Sequence, residues 1–184
     1  MQHISRYLKK VNSGYVVMDP TQWDIEWIGE KGEAQPQERA RYMKELYPDA
    51  KDNLPHDMLK PLGKGVNIGC FVDADHAGNK ITRRSHTGVI IFLNSSPIIW
   101  YSKRQKTVES STFGSELVAM KQAMDMIEGL IYKLRMFGIS VEGEVRVMCD
   151  NMAAVKSGSN PDSRLQKKHN SIAFHRVREA VAAG

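Results

Sequence analysis

Three carboxylates stand where they could meet at one end of a sheet. Asp73 ends an apolar, strand-like run, Asp150 ends a second one, and Glu116 falls in the first turn of a predicted long helix. Carboxylates gathered in a partly buried place repel one another and lose solvation unless a cation offsets them. Mg²⁺ prefers oxygen ligands, and two such ions can hold the attacking water and the leaving oxygen of a phosphodiester. The three residues therefore suggest phosphodiester hydrolysis.

Each of the three carboxylates also has a purely structural interpretation. An Asp after a strand is common in turns, and an Asp before a helix is common as an N-cap. A Glu in a first turn complements the helix dipole. Position alone does not separate these interpretations from the catalytic one.

The elements that must position these residues follow from hydrophobic periodicity. The pattern predicts strands over residues 66–73, 87–93, 97–103 and 145–149, with Trp100 interpreted as a core residue because it alternates with Ile99. Apolar residues at steps of 3 and 4 predict a helix from about Leu117 to Gly138. Shorter helices are predicted over 151–156, closed by Gly158, and over 171–183.

This order of elements predicts a mixed-sheet α/β domain. If the first and fourth strands run side by side and parallel, Asp73 and Asp150 become neighbours at the carboxyl end of the sheet, where ligands bind in open sheets.

The first third of the chain has a less regular hydrophobic pattern than the rest. Ile4, Leu8 and Val11 predict a helix over residues 2–12, and residues 15–18 read as a strand. A short helix is predicted over 39–46, and prolines interrupt the remainder. We expect an irregular connector up to residue 64 and an α/β domain over residues 65–184.

Charge and cysteine content restrict the partners and the compartment. The formal net charge is +5, and the whole excess lies in residues 65–184, which hold 16 of the 26 basic and 11 of the 21 acidic side chains. An anionic partner is therefore expected to bind there. No apolar run approaches the roughly 20 residues that span a bilayer, so no membrane partner is expected. The two cysteines, Cys70 and Cys149, exclude a disulfide framework and indicate an intracellular, reducing compartment.

Several dispersed blocks resemble the ribonuclease H domain of copia-type LTR retrotransposon Pol polyproteins. Residues 4–9 and 17–20 resemble the tail of the reverse transcriptase that precedes this domain. The matching ribonuclease H blocks are Phe71 to Gly78, Arg83 to Gly88, Pro97 to Gln105, Ser111 to Ala119, and Cys149 to Ala154.

The resemblance implies a ribonuclease H-like fold, with a mixed five-stranded-type sheet flanked by helices. It also implies endonucleolytic cleavage of the RNA strand of RNA/DNA hybrids during reverse transcription, with Mg²⁺ as cofactor and Mn²⁺ as a substitute. Asp73, Glu116 and Asp150 would be the metal ligands. The polymerase part of the same polyprotein is the expected partner, in a cytoplasmic virus-like particle or in the nucleus.

This chain departs from the sequence pattern of the resembling family at one position. The family usually has an acid where this chain has Ser171, so the resemblance implies that one metal position binds weakly. Asp75, on the same strand face as Asp73, is the first candidate for a compensating carboxylate, ahead of Glu179 and Asp162. His169 is a candidate for orienting water or assisting product release, against a surface role. The alternative is a catalytically weak or inactive module that binds nucleic acid or acts as a structural connector.

Basic side chains are expected to bind the phosphates of the hybrid without reading its sequence. For each one, a solvated surface charge is the competing interpretation. The candidates are Arg83, Arg84, Lys103, Arg104, Lys106, Arg164, Lys167 and Lys168.

Overall fold

The computed structural model describes residues 18–22, 36–51, 55–165 and 167–184. The predicted helix over residues 2–12, and all but the last residue of the predicted strand over 15–18, lie outside them. The helices are α1 (Pro36–Leu46), α2 (Thr112–Met136), α3 (Met152–Ser159) and α4 (Ser171–Ala183), with a 3-10 turn at Lys168–Asn170. The strands are β1 (Ile68–Asp75), β2 (His86–Leu93), β3 (Ser96–Arg104) and β4 (Arg146–Cys149).

The four strands form one mixed sheet in the order β3-β2-β1-β4. Strands β1, β2 and β3 are an antiparallel meander, and β4 pairs in parallel with β1. This confirms the predicted α/β class. In the described part of the chain the sheet has four strands, as the periodicity indicated, where the family resemblance implied five. Beyond β1 and β4, the parallel pairing continues only as a single bridge between Val66 and Val141.

The core lies between the sheet and α2. Alternate residues of the central strands, such as Val72 and Ile91, are buried on the face that α2 covers, where they pack with Leu117 and Ala123. Helix α2 ends where Gly138 adopts a φ of +71°, a conformation that glycine takes without steric cost. The predicted long helix is therefore confirmed, and it begins five residues earlier than the apolar pattern indicated.

Gly158 has a different role from the predicted one. It lies inside α3 and is buried, so it does not close the helix. A Cβ at this position would approach Cγ1 of Val177 on α4 to 2.8 Å. The glycine is needed because α3 and α4 pack closely at this point, a contact that local sequence does not reveal.

Helix α1 packs on α4, although the prediction gave this region little core of its own. Met43 is fully buried, and the hydroxyl of Tyr47 lies 2.7 Å from Nδ1 of His175. Nε of Arg178 also donates to that hydroxyl at 3.2 Å. The boundary between residues 64 and 65 stays a prediction. Among the described residues, none of the helices has the length and apolar character needed to cross a membrane.

The interpretation of Trp100 as a core residue is wrong, since the side chain is 69% exposed. Ile99 packs against the core, and strand alternation directs Trp100 to the opposite sheet face. Together with Ile90 and Met148 it lines a cavity of about 660 Å³ that reaches Asp73 and Asp150.

Candidate active site

The sheet brings Asp73 and Asp150 to neighbouring positions. Strands β1 and β4 are parallel neighbours, as the predicted proximity of the two aspartates required, and Val72 is the register partner of Cys149. Asp73 and Asp150 each follow this pair, but Asp73 does not end its strand as predicted, because β1 continues to Asp75. Both are solvent-exposed.

Glu116 reaches the same region from α2. The N-cap of α2 is Ser111, so Glu116 lies in the second turn and not, as expected, in the first. The side chain is only 5% exposed, which excludes a surface role as a partner of the helix dipole. Just before it in the chain, the carbonyl of Ser115 accepts a hydrogen bond from Nε2 of Gln105 at 2.9 Å. Because Nε2 of Gln105 also contacts Thr87 on β2, this amide ties the start of α2 to the sheet.

A group of potential metal ligands forms where these elements meet. Glu116, Cys149 and Asp150 each offer one ligand atom, and these atoms lie within 4.8 Å of one another. The thiol of Cys149 donates to Oε2 of Glu116 at 3.7 Å. Sequence reasoning treated Cys149 only as a strand residue, and its position directly before Asp150 was the available signal.

The surroundings of this group raise the pKa values of Glu116 and Cys149. Burial, followed by the nearby carboxylate of Asp73, raises the pKa of Glu116 from 4.5 to about 7; a backbone hydrogen bond from Ala74 acts in the opposite direction, and Asp150 raises it further. Burial also raises the pKa of the Cys149 thiol to about 11, so it remains protonated at neutral pH. The available donors are thus hard carboxylate oxygens, which suit a small divalent cation.

Asp75 lies on the same strand but is turned toward the loop that follows. A Cβ at Gly78 would come within 1.8 Å of its Oδ2, so the carboxylate rests against that glycine. Neither Asp75 nor the predicted ligand Asp73 belongs to the group of ligand atoms found among the described residues. Its role as a compensating carboxylate stays a prediction.

Ser171 and His169 stand at the start of α4. Ser171 is the first residue of that helix and is half-buried. The ring of His169 is exposed, and its Nε2 lies 3.3 Å from Oε2 of Glu109, a buried residue that sequence reasoning missed. The catalytic roles of Ser171 and His169 stay predictions.

Several basic candidates lie at the same end of the sheet as the carboxylates. His86 on β2 pairs with Asp75 on one side and with Arg104 on the other, so β1 and β3 end at the same end of the sheet, on either side of β2. Arg84 is half-buried, and Arg83 stands exposed at a φ of +54°. The remaining candidates of this set are all exposed: Lys103, Arg104, Lys106, Arg164 and Lys168.

Lys167 is the candidate cation that contacts the start of α2. Its Nζ donates to Oγ of Ser110 at 3.0 Å and to Oγ of Ser111 at 3.1 Å. The basic segment before α4 is therefore held beside the first turn of α2.

The fold and the site define a mixed α/β domain with acidic residues at the carboxyl ends of two adjacent parallel strands. The chain is 30% identical over 129 residues to the retrovirus-related Pol polyprotein from transposon RE1 of Arabidopsis thaliana. It is 32% identical over 111 residues to that from transposon TNT 1-94 of Nicotiana tabacum. These alignments cover 70% and 60% of the chain, and 9% and 8% of the relatives. Homologues of this chain are thus Pol polyproteins of copia-type transposons, which confirms the predicted resemblance.

No protein-family model matches the chain. Among solved structures, the ribonuclease H1 of the archaeon Halobacterium salinarum NRC-1 superimposes with a TM-score of 0.46 and 12% identity. The superposition covers 62% of this chain and 76% of that protein.

Proposed function

We propose that this chain cleaves the RNA strand of RNA/DNA hybrids endonucleolytically, as the ribonuclease H part of a retrotransposon Pol polyprotein. The observation that carries the proposal is that Glu116 and Asp150 share one group of ligand atoms, with Asp73 on the neighbouring strand close enough to raise the pKa of Glu116. Homology to Pol polyproteins supports it, since reverse transcription produces RNA/DNA hybrids. The chain spans only 9% of the length of the RE1 polyprotein.

The donor set fits Mg²⁺, with Mn²⁺ as a substitute. Burial, followed by repulsion from Asp73, raises the pKa of Glu116, and a bound cation would favour the ionised carboxylate. Asp73, Glu116 and Asp150 would hold the metal. Two ions bound there would activate a water and stabilise the leaving oxygen of a phosphodiester.

The protein itself contributes positioning of these carboxylates. The thiol of Cys149 and the backbone of Ala74 each form a hydrogen bond with the side chain of Glu116, which fixes its direction. Gln105 links the start of α2 to β2 by hydrogen bonds, and this link helps to fix the position of Glu116 relative to the sheet. Preorganised groups of this kind hold a reacting phosphate without rearrangement during the reaction.

Binding of the hybrid would be independent of its sequence. Exposed cations near the carboxylates neutralise phosphates, and their contacts weaken as salt rises. Lys103 and Arg104 lie at the end of β3, at the same end of the sheet as Asp73 and Asp75. The proposal includes the polymerase part of the same polyprotein as partner, and an intracellular site of action in a virus-like particle or in the nucleus.

Cleavage of an end-labelled RNA/DNA hybrid in Mg²⁺ or Mn²⁺ tests the proposal. We expect internal cleavage of the RNA strand, with Asp73→Asn and Asp150→Asn abolishing it and the matched control Asp57→Asn, in an exposed turn, leaving it unchanged. Circular dichroism would establish that each variant is folded. Folded wild-type protein that cleaves in neither metal would contradict the proposal.

The second candidate function is a module that binds hybrids without turnover. Ser171, at the position where the resembling family has an acid, is the observation that favours it. Salt-sensitive binding of the hybrid by a protein that cleaves in neither metal would support this candidate.

A further inference from the structure

A buried carboxylate outside the metal-ligand group lies between the starts of α2 and α4. Glu109 is 6% exposed, and its Oε1 accepts a hydrogen bond from Oγ1 of Thr107 at 3.0 Å. Its Oε2 lies 3.3 Å from Nε2 of His169 but accepts no hydrogen bond of good geometry from the described residues. A buried carboxylate is costly unless it is compensated, so its retention here calls for an explanation.

Gly114 and Asn170 complete the surroundings of this carboxylate. A Cβ at position 114 would lie 2.7 Å from Oε2 of Glu109 and 3.0 Å from Nδ2 of Asn170. Asn170 is 2% exposed, and its Nδ2 has no hydrogen-bond partner in the described part of the chain. Two buried polar groups therefore converge on the space that the missing side chain of Gly114 leaves open.

The same junction carries positive charge. Lys167, three residues before Asn170, is hydrogen-bonded to Ser110 and Ser111, which directly follow Glu109. Lys168 and Arg164 are exposed beside it. The segment 107–111 thus holds the segment 167–170 by two sets of contacts, and the held segment contains Lys167 and Lys168, two of the side chains expected to bind phosphates.

We propose that Glu109 is a positioning residue for hybrid binding. Through its contact with His169, beside the buried Asn170, its carboxylate fixes the 3-10 turn against the N-terminus of α2, so that Lys167 and Lys168 face the phosphate backbone in a defined arrangement. This inference rests on the proposed function and extends it to a residue outside the metal-ligand group.

Glu109→Gln tests the inference, with Glu144→Gln as a matched control. Both variants lose one negative charge, but Glu144 is exposed in the loop before β4. We expect the Kd for an RNA/DNA hybrid, measured in Ca²⁺ to suppress cleavage, to rise about threefold to tenfold in Glu109→Gln. The slope of log K against log salt should fall by about 1, as for the loss of one phosphate contact. KM should rise with the Kd while kcat stays within about twofold.

Gly114→Ala provides a second test that needs no change of charge. The added methyl group should displace the Glu109 carboxylate and weaken hybrid binding by a similar factor. In a Glu109→Ala background the close contact with Oε2 is gone and the contact with Nδ2 of Asn170 at 3.0 Å remains, so Gly114→Ala should then have a smaller further effect. Additive effects of the two substitutions would contradict the inference.

Hydrogen exchange of the backbone amides of residues 167–170 separates this inference from the proposed function. Exchange should be faster in Glu109→Gln than in Glu144→Gln. If both variants leave the Kd, the salt slope and the exchange at wild-type values, the inference is overturned, even where Glu109→Gln lowers the Tm. Wild-type protein that does not bind hybrids would overturn the role in hybrid binding together with the second candidate function. Wild-type protein that binds without cleaving would contradict only the proposed cleavage.

Discussion

The thiol of Cys149 donates a hydrogen bond to Oε2 of Glu116 across 3.7 Å, and this contact joins the end of β4 to the second turn of α2. It lowers the pKa of Glu116, whereas burial and the neighbouring Asp73 and Asp150 raise that pKa to about 7. The residue before a predicted metal ligand thus tunes the charge of another one. Cation binding at neutral pH depends on this contact because only the ionised form of Glu116 is a strong ligand.

Cys149→Ala should weaken Mg²⁺ binding near pH 7. Without the thiol donor the pKa of Glu116 rises further, so a smaller fraction of Glu116 is ionised. The apparent Kd for Mg²⁺, measured from the Mg²⁺ dependence of the Tm, should rise about twofold to fivefold, in the range of one weak hydrogen bond. Cys149→Ser retains a donor and serves as the control. An equal Mg²⁺ affinity for wild type and Cys149→Ala would disprove the tuning role.

The stability of the metal-free protein should fall as the pH rises. The folded state raises the pKa of Glu116 from 4.5 to about 7, so it binds this proton more tightly than the unfolded chain does. The associated stability is fully present below about pH 4.5 and is lost as the pH rises through about 7. This group contributes up to about 3 kcal/mol to the difference.

Urea unfolding in EDTA at several pH values measures this dependence. Glu116→Gln should remove the part of the slope between about pH 4.5 and about pH 7. Saturating Mg²⁺ should reduce it in the wild type, because the cation favours the ionised carboxylate. A wild-type slope that Glu116→Gln does not change would show that other groups cause the pH dependence.

Arg178→Met should be strongly destabilising. The buried guanidinium donates to the carbonyls of Asn160 at 2.8 Å and Pro161 at 2.9 Å, and it stacks on the ring of Phe174. Its removal leaves carbonyl groups at the end of α3 without their donors. We expect a loss of about 2–4 kcal/mol in the free energy of unfolding.

Arg176→Met is the matched control for that substitution. Arg176 also lies on α4, and its side chain pairs with Asp125 and Glu128 at the surface of α2. Because these pairs lie at the surface and are only partly buried, the loss should stay below about 1 kcal/mol. Equal losses for the two variants, measured by chemical denaturation, would refute the structural role of Arg178.

Much of the fold could be predicted from the sequence because hydrophobic periodicity is a local signal. The alternation of β1 and the long apolar face of α2 gave these elements nearly their observed bounds. The order of elements was compatible with a parallel pairing of the first and fourth strands, and the structure shows that pairing, which places Asp73 and Asp150 on neighbouring strands. The three acidic candidates were therefore identified before their surroundings were known.

The remaining features depend on contacts between segments that are distant in the chain. The sequence predicts that Gly158 ends a helix. In the structure a glycine is required there because Val177 of another helix packs closely against it. Trp100 reads as a core residue, but only the assembled layers show which sheet face the helices cover. Glu109 and His169 are 60 positions apart, so no local pattern indicated that they form a pair.

Ser171→Asp should strengthen metal binding if the start of α4 supplies the ligand position that the family resemblance implies. The new carboxylate would add an oxygen donor at the position where the resembling family has an acid, and we expect the apparent Kd for Mg²⁺ to fall about threefold to tenfold. A carboxylate at a helix N-terminus also stabilises the helix by about 0.3–1 kcal/mol without any metal. The comparison must therefore be made between the Tm shifts that Mg²⁺ produces in each protein, with Ser171→Asn as the uncharged control. If Ser171→Asp raises the Tm equally with and without Mg²⁺, the helix dipole accounts for the whole effect, and Ser171 does not stand at a metal-ligand position.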